Sequence, residues 1–111
     1  MRINLSPQRR DDKLEVVRSG NILIVNGEVF DFSRMADGDT LPRSAIQSEW
    51  FVGDIEHIDG ELTLTLLLPN PWNYSPAQAF PADLVNVPNG PVSLPLPLPE
   101  AQNGIASEEQ V

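Results

Sequence analysis

His57 is the only histidine in this chain of 111 residues, and the only side chain whose ordinary pKa lies near neutrality. A histidine in a site serves as a general base or a pH sensor, and either role needs a partner. No Ser, Asp or Cys stands at a recognisable spacing from His57, so the expectation is a hairpin-end histidine packed beside Leu62. Asp37-Gly38-Asp39 has the opening spacing of a calcium loop. An EF-hand closes with a Glu at its twelfth position, which here is Ser48, with Glu49 one residue too far, so a polar turn is expected. Asp54, Glu56 and Glu61 are close enough in sequence to suggest paired carboxylates, but on strands beside a turn they form a solvated face. No catalytic, cofactor-binding or metal-binding residue is therefore expected.

The remaining chemistry is that of contact. Trp72 and Tyr74, in Asn70-Pro71-Trp72-Asn73-Tyr74, are the residue types that dominate binding hot spots. They either form a contact surface or cap the open edge of a sheet. Leu94, Leu96 and Leu98 alternate with Pro95, Pro97 and Pro99 in an extended, polyproline-like run. Such a run docks in an aromatic groove or along another subunit, or acts as a spacer. Three leucines are unusual in a solvated linker, which favours docking. These five residues are the candidate partner-binding set.

The elements that must position them read as strands. Asn26-Gly27 lies within Ile22–Phe32 and Asp59-Gly60 within Ile55–Leu66. Both dipeptides tolerate the positive φ of a two-residue hairpin, and both are flanked by β-branched, aromatic and leucine residues. In the first hairpin Leu23 meets Phe30 on one face and Ile24 meets Val29 on the other, so both faces are expected to be covered. In the second, Ile58 opposes Glu61 and His57 opposes Leu62. The same register carried on places Ile55 on Leu64, Gly53 on Leu66 and Phe51 on Leu68. Arg2–Leu5 and Leu14–Arg18 are further strand candidates, and Pro42 suits the first turn of a short helix over Arg43–Gln47. Ala79-Phe80 and Asp83–Val87 could add an edge strand. Asn89-Gly90 is discounted as a hairpin because Pro91 has no N–H to close the turn.

The predicted fold is all-β: a small antiparallel sandwich or partly open barrel built from hairpins. Residues 1–87 form the domain. Residues 88–111 form a proline-rich extended arm with an acidic tail over Glu100–Val111. Nine of the eleven prolines come after residue 68, which disfavours central strands there. A chain of this size buries about two-thirds of its unfolded surface and needs no disulfide or metal to fold. It has no Cys, so thiolate metal sites are excluded. No apolar run is long enough for a membrane span, and the first residues lack the apolar core of a signal peptide.

Charge is distributed unevenly. The net charge is −9. All seven basic residues lie within the first 43 positions, alongside seven acids. Residues 44–111 carry nine acids and no Lys or Arg. Phosphate neutralisation needs cations, so nucleic-acid binding by this later part is disfavoured. The excess charge serves solubility or faces a basic partner.

Four stretches carry a resemblance: Met1–Asp12, Val25–Ser33, Glu49–Ile55 and Ile58–Pro69. Together they resemble small uncharacterised proteins encoded in the tail-gene region of tailed bacteriophages and prophages. The match covers residues 1–85, and the proline-rich end is the variable part. The resemblance implies a context and no site: a tail or baseplate component in the virion, made in the host cytoplasm. Its expected partners are other tail proteins, with homo-oligomerisation open as well, and neither nucleic acid nor membrane. The rival readings are a non-virion tail or fibre assembly chaperone and an acidic inhibitor of a host protein.

Overall fold

Two tight turns set the topology. The computed structural model describes residues 1–99, so the tail expected over Glu100–Val111 lies outside the described residues. Asn26 and Gly27 take φ of 49° and 84°, and Asp59 and Gly60 take 52° and 77°. These are the left-handed values that a two-residue hairpin requires. In chain order the strands are β1 (Arg2–Arg9), β2 (Val16–Ser19), β3 (Ile22–Val25), β4 (Glu28–Asp31), β5 (Thr40–Leu41), β6 (Ile55–Ile58), β7 (Glu61–Asn70) and β8 (Gly90–Pro91). One helical turn, α1 (Pro76–Ala79), comes after β7.

The strands form two four-stranded sheets, ordered β1-β7-β6-β5 and β4-β3-β2-β8. Both sheets contribute to one core, with Ile3, Ile55, Leu62, Leu64 and Leu66 from the first and Val16, Leu23 and Val25 from the second. Phe51 sits at their junction, edge-on to Phe30 at 4.8 Å and to Phe32 at 6.0 Å. The expected all-β fold is therefore present, as a sandwich whose sheets stay separate rather than a barrel.

One pairing departs from the antiparallel expectation. β1 is longer than Arg2–Leu5 and runs parallel to β7, from Arg2 opposite Thr63 to Arg9 opposite Asn70. Both prolines in this ladder fall where no N–H is needed. Ile3 turns its backbone away from β7, exchanging both bonds with Leu84 at 2.8 Å, and Pro7, four residues on, faces the same outer side. Pro69 lies past the last antiparallel bond, from Leu67 N–H to the Trp50 carbonyl.

The hairpin registers hold next to the turns. Leu23 pairs with Phe30 and Ile24 with Val29, while Ile58 pairs with Glu61 and His57 with Leu62. Further along the second hairpin the expected register fails. Phe51 pairs with Leu66 rather than Leu68, because Val52–Asp54 bulge out, with Gly53 at φ 81°. A two-residue slip preserves the side-chain alternation, so Phe51 still points inward. The first hairpin is also not covered on both faces: Leu23 and Val25 are buried, whereas Val29 is 62% exposed. Its second face is the outside of the sandwich.

Two smaller expectations are revised. Residues 43–47 form a single 3-10 turn, Arg43–Ala45, with Pro42 as its N-cap. Ala79 belongs to α1, and within Asp83–Val87 the edge contribution is one bridge from Leu84 to Ile3. Asn89-Gly90 makes no hairpin. Instead Gly90 and Pro91 pair with Arg18 and Val17 of β2.

Candidate functional site

The polar residues near His57 serve the fold. The His57 ring is opposite Leu62, and its Nδ1 lies 3.3 Å from the Asp37 carboxylate. The same Asp37 oxygen accepts the Gly60 N–H at 2.9 Å. Gly38 N–H donates to the His57 carbonyl at 2.7 Å, and His57 N–H to the Asp39 carbonyl at 3.0 Å. Asp39 accepts the Ala36 N–H at 2.8 Å. Asp37-Gly38-Asp39 is thus a clip that ties the long connection to the second hairpin turn. The Gly60 N–H, and after it His57, hold the Asp37 carboxyl below the usual carboxylate range.

The other carboxylates go to separate partners. Asp54 accepts the Arg43 N–H at 2.8 Å, and Glu56 stands across from Thr63 and Thr40. Arg10 bonds Asp12, meets Glu49 at 2.9 Å and lies over the Trp50 ring at 4.9 Å. Those contacts raise the Arg10 pKa, with the Asp12 bond the largest cause, and lower that of Asp12. Among the described residues no group of three His, Cys, Asp or Glu side chains is placed to hold a metal ion. No helix among them is long and apolar enough to cross a membrane.

The contact residues converge. After β7 the chain turns at Pro71, closed by the Tyr74 N–H on the Pro71 carbonyl. Ser75 then caps α1. Its hydroxyl accepts the Gln78 N–H, and the Gln78 side chain returns to the Ser75 N–H, a reciprocal capping box with Pro76 in the first turn. Asn70 anchors the far end of α1 through Nδ2 on the Gln78 carbonyl at 2.8 Å.

The proline-rich run lies against this segment. Val92 N–H bonds the Val16 carbonyl at 2.8 Å, and Leu94 packs against the core. Gln78 Nε2 reaches the Pro95 carbonyl at 3.4 Å, and Ser75 Oγ donates to the Leu96 carbonyl at 2.7 Å. Leu98 N–H donates to the Asn73 carbonyl at 2.9 Å, while Asn73 Nδ2 donates back to the Leu98 carbonyl at 2.7 Å. The two segments are therefore bonded side by side. They carry four exposed apolar side chains: Trp72 (68%), Tyr74 (48%), Leu96 (77%) and Leu98 (49%).

Of the five residues the sequence singles out, the structure brings the segments that carry these four side by side and packs Leu94 against the core. A cleft of ≈ 310 Å³ opens beside the run, lined by Leu14, Leu68, Pro69, Gln78, Leu94 and Leu96 among others. Sequence reasoning missed Asn73, Ser75 and Gln78, the anchors of the run. The signal was there: Ser75-Pro76-Ala77-Gln78 has the capping-box spacing. It also missed Phe80, exposed next to the start of the run, in a shallow cleft with Leu94 and Pro95.

The two segments themselves carry no charge, although Asp11, Asp12 and Lys13 line the cleft beside the run. From Leu62 to Pro99 the one charged residue is Asp83, and it is paired with Arg2 at 2.7 Å. Comparison with protein-family models, curated proteins and solved structures returns no match for this chain.

Proposed function

We propose that this protein is a non-enzymatic structural component of a bacteriophage tail or baseplate, carried in the virion and bound to other subunits through the Trp72, Tyr74, Leu96 and Leu98 surface. The tail context rests on the resemblance of residues 1–85 and has no counterpart in the comparisons. The binding role rests on one observation: two segments hydrogen-bonded at Asn73–Leu98 and Ser75–Leu96 hold four large apolar side chains in water. Exposed aromatic and apolar clusters of this kind mark interaction sites. Anchoring them on bonded backbone limits the entropy lost when a partner covers them.

Quantitative mass spectrometry of gradient-purified particles tests the context. A fixed copy number in ratio with known tail proteins is the expected result. Absence from particles with abundance in the infected-cell lysate overturns the virion reading in favour of an assembly chaperone or a host-directed factor.

A further inference from the structure

We propose that the outer edge of β4 is a second binding site, and that it takes an extended, basic segment of another protein as a fifth, antiparallel strand of the β4-β3-β2-β8 sheet. The site shares no residue with the Trp72 surface and stands or falls without it.

The hydrogen-bonding groups of the edge define the occupant. The Phe32 N–H donates to the Asn21 carbonyl at 2.9 Å, so the Phe32 backbone faces β3. Alternation along an antiparallel ladder then turns the backbones of Asp31 and Val29 the other way. Two N–H groups and two carbonyls therefore point out of the sheet edge. β4 pairs with β3 alone, and no backbone group of the described residues bonds Val29 or Asp31 from the outer side. Donors and acceptors at this alternation match the backbone of an extended chain, which is the basis of strand addition.

The other edges are closed. Residues 84–92 seal the opposite side of the sandwich: Leu84 exchanges bonds with Ile3 of β1, the Val87 N–H bonds the Met1 carbonyl, and Gly90 and Pro91 pair with β2. Pro7 and Pro91 remove donors from β1 and β8. β5 has two residues. β4 has four, Glu28-Val29-Phe30-Asp31, with no proline, lysine or bulge, the devices that commonly block an edge.

Charge and shape narrow the partner. Glu28 and Asp31 stand at the two ends of the strand. Opposite charges across a strand pair stabilise it and like charges oppose it, so basic side chains fit opposite both. A cleft of ≈ 300 Å³ opens between the end of β4 and β5, lined by Phe32, Met35 and Leu41 among others. A strand added here turns alternate side chains to the inner side, as Phe30 is turned, where this cleft has room for an apolar group. A second copy of the chain fits worse. Outward residues can meet only outward residues, so a two-fold β4 pair sets Asp31 on Asp31, sets each Asp31 on the other Val29, or centres on Val29 and leaves Asp31 beyond the strand end. No register matches opposite charges, and each molecule carries −9.

The blocked peptide acetyl-Thr-Lys-Leu-Val-Lys-Thr-amide is the probe. Running antiparallel, it sets its first lysine opposite Asp31, its leucine opposite Phe30, its valine opposite Val29 and its second lysine opposite Glu28. Amide NMR titration of the full chain should give saturable shifts centred on Val29 and Asp31, with a dissociation constant of roughly 0.1–1 mM. The same peptide N-methylated at the first lysine and the valine keeps its charge but loses both donors to β4, and should bind about tenfold more weakly or worse. Glutamate in place of both lysines should do the same. Val29→Pro removes an outward donor that β3 does not use and should weaken binding by a similar factor, with a circular dichroism melt to check that the variant is folded. In the free chain the Val29 and Asp31 amides should exchange much faster than those of Phe30 and Phe32. Absence of shifts at β4 up to ~5 mM peptide, well beyond the expected dissociation constant, overturns the proposal. Equal binding of the N-methylated peptide also overturns it, because attraction is then a matter of charge alone. So does protection of the Val29 and Asp31 amides in the free chain: protection that grows with concentration means that a second copy takes the edge, and protection at every concentration means that the chain covers it itself.

Discussion

Phe51 is the side chain on which the two sheets meet. It is almost wholly buried and contacts Phe30 and Phe32 edge-on, so truncation opens a cavity that neither sheet can close by sliding. Phe51→Ala is expected to cost about 3–5 kcal/mol in urea unfolding. Gly60 acts through the backbone instead. A side chain there would meet nothing within 4 Å, so the cost of Gly60→Val is φ strain, about 1–2 kcal/mol for a residue forced into the left-handed region, and equilibrium unfolding reads it directly. Asp37 contributes a pH dependence. Its carboxyl titrates below the usual value because the ionised form accepts the Gly60 N–H and faces His57. A depressed folded pKa gives stability that is complete above the ordinary carboxylate value and is lost as pH falls through the folded one. Unfolding midpoints of the parent should therefore drop with acidification below about pH 4 more steeply than those of Asp37→Ala. Parallel curves for the two proteins would count against the clip.

At the scale of elements, local signals predicted local structure. Asn26-Gly27 and Asp59-Gly60 located both hairpins and their near registers because the turn residues fix them within a few positions. Three features depend on contacts distant in sequence and were not legible. The parallel pairing of β1 with β7 joins Arg2 to Thr63, and no local pattern encodes such a partner. The bulge at Gly53 arises where the Phe51 ring enters the core between Phe30 and Phe32. The docking of the Leu-Pro run depends on hydrogen bonds from Asn73, Ser75 and Gln78, and prolines alone do not say which donors will meet their carbonyls. Trp72, Tyr74, Leu96 and Leu98 could be picked out by residue type, but their adjacency could not. Ser75 holds that adjacency twice, capping α1 and donating to the Leu96 carbonyl. Ser75→Ala removes both roles and is expected to cost about 1–2 kcal/mol. The loss should appear in thermal melts and as faster amide exchange at Gln78 and Leu98. Unchanged exchange at Leu98 would mean that the run is held by its leucines rather than by its backbone.

For the molecule as a whole, the run from Leu94 onward stands between two roles, part of the core at one end and part of the exposed surface at the other. Among the described residues every strand pairing in both sheets is complete by Pro91, so the topology of these sheets does not require the Leu-Pro run. Energetically the segment still matters. Leu94 packs against the core, and the Pro95, Leu96 and Leu98 carbonyls accept from Gln78, Ser75 and Asn73. Ending the chain after Ser93 should leave a folded sandwich, because the core of Phe51, Leu23 and the β7 leucines is intact. It should also lower stability by roughly 2–4 kcal/mol, from one partly buried leucine and donors whose loss is softened by water. Leu96→Ser probes the other role. Leu96 is 77% exposed, and the donor bonded there goes to its backbone carbonyl, so the substitution should change stability by less than about 0.5 kcal/mol. Urea unfolding of the two variants side by side separates the roles. Truncation that destabilises while Leu96→Ser does not would mean that the fold uses the backbone of the run and Leu94 but not the Leu96 side chain. Equal, large losses in both would mean that Leu96 belongs to the fold and that the surface beside Trp72 is smaller than its exposure implies.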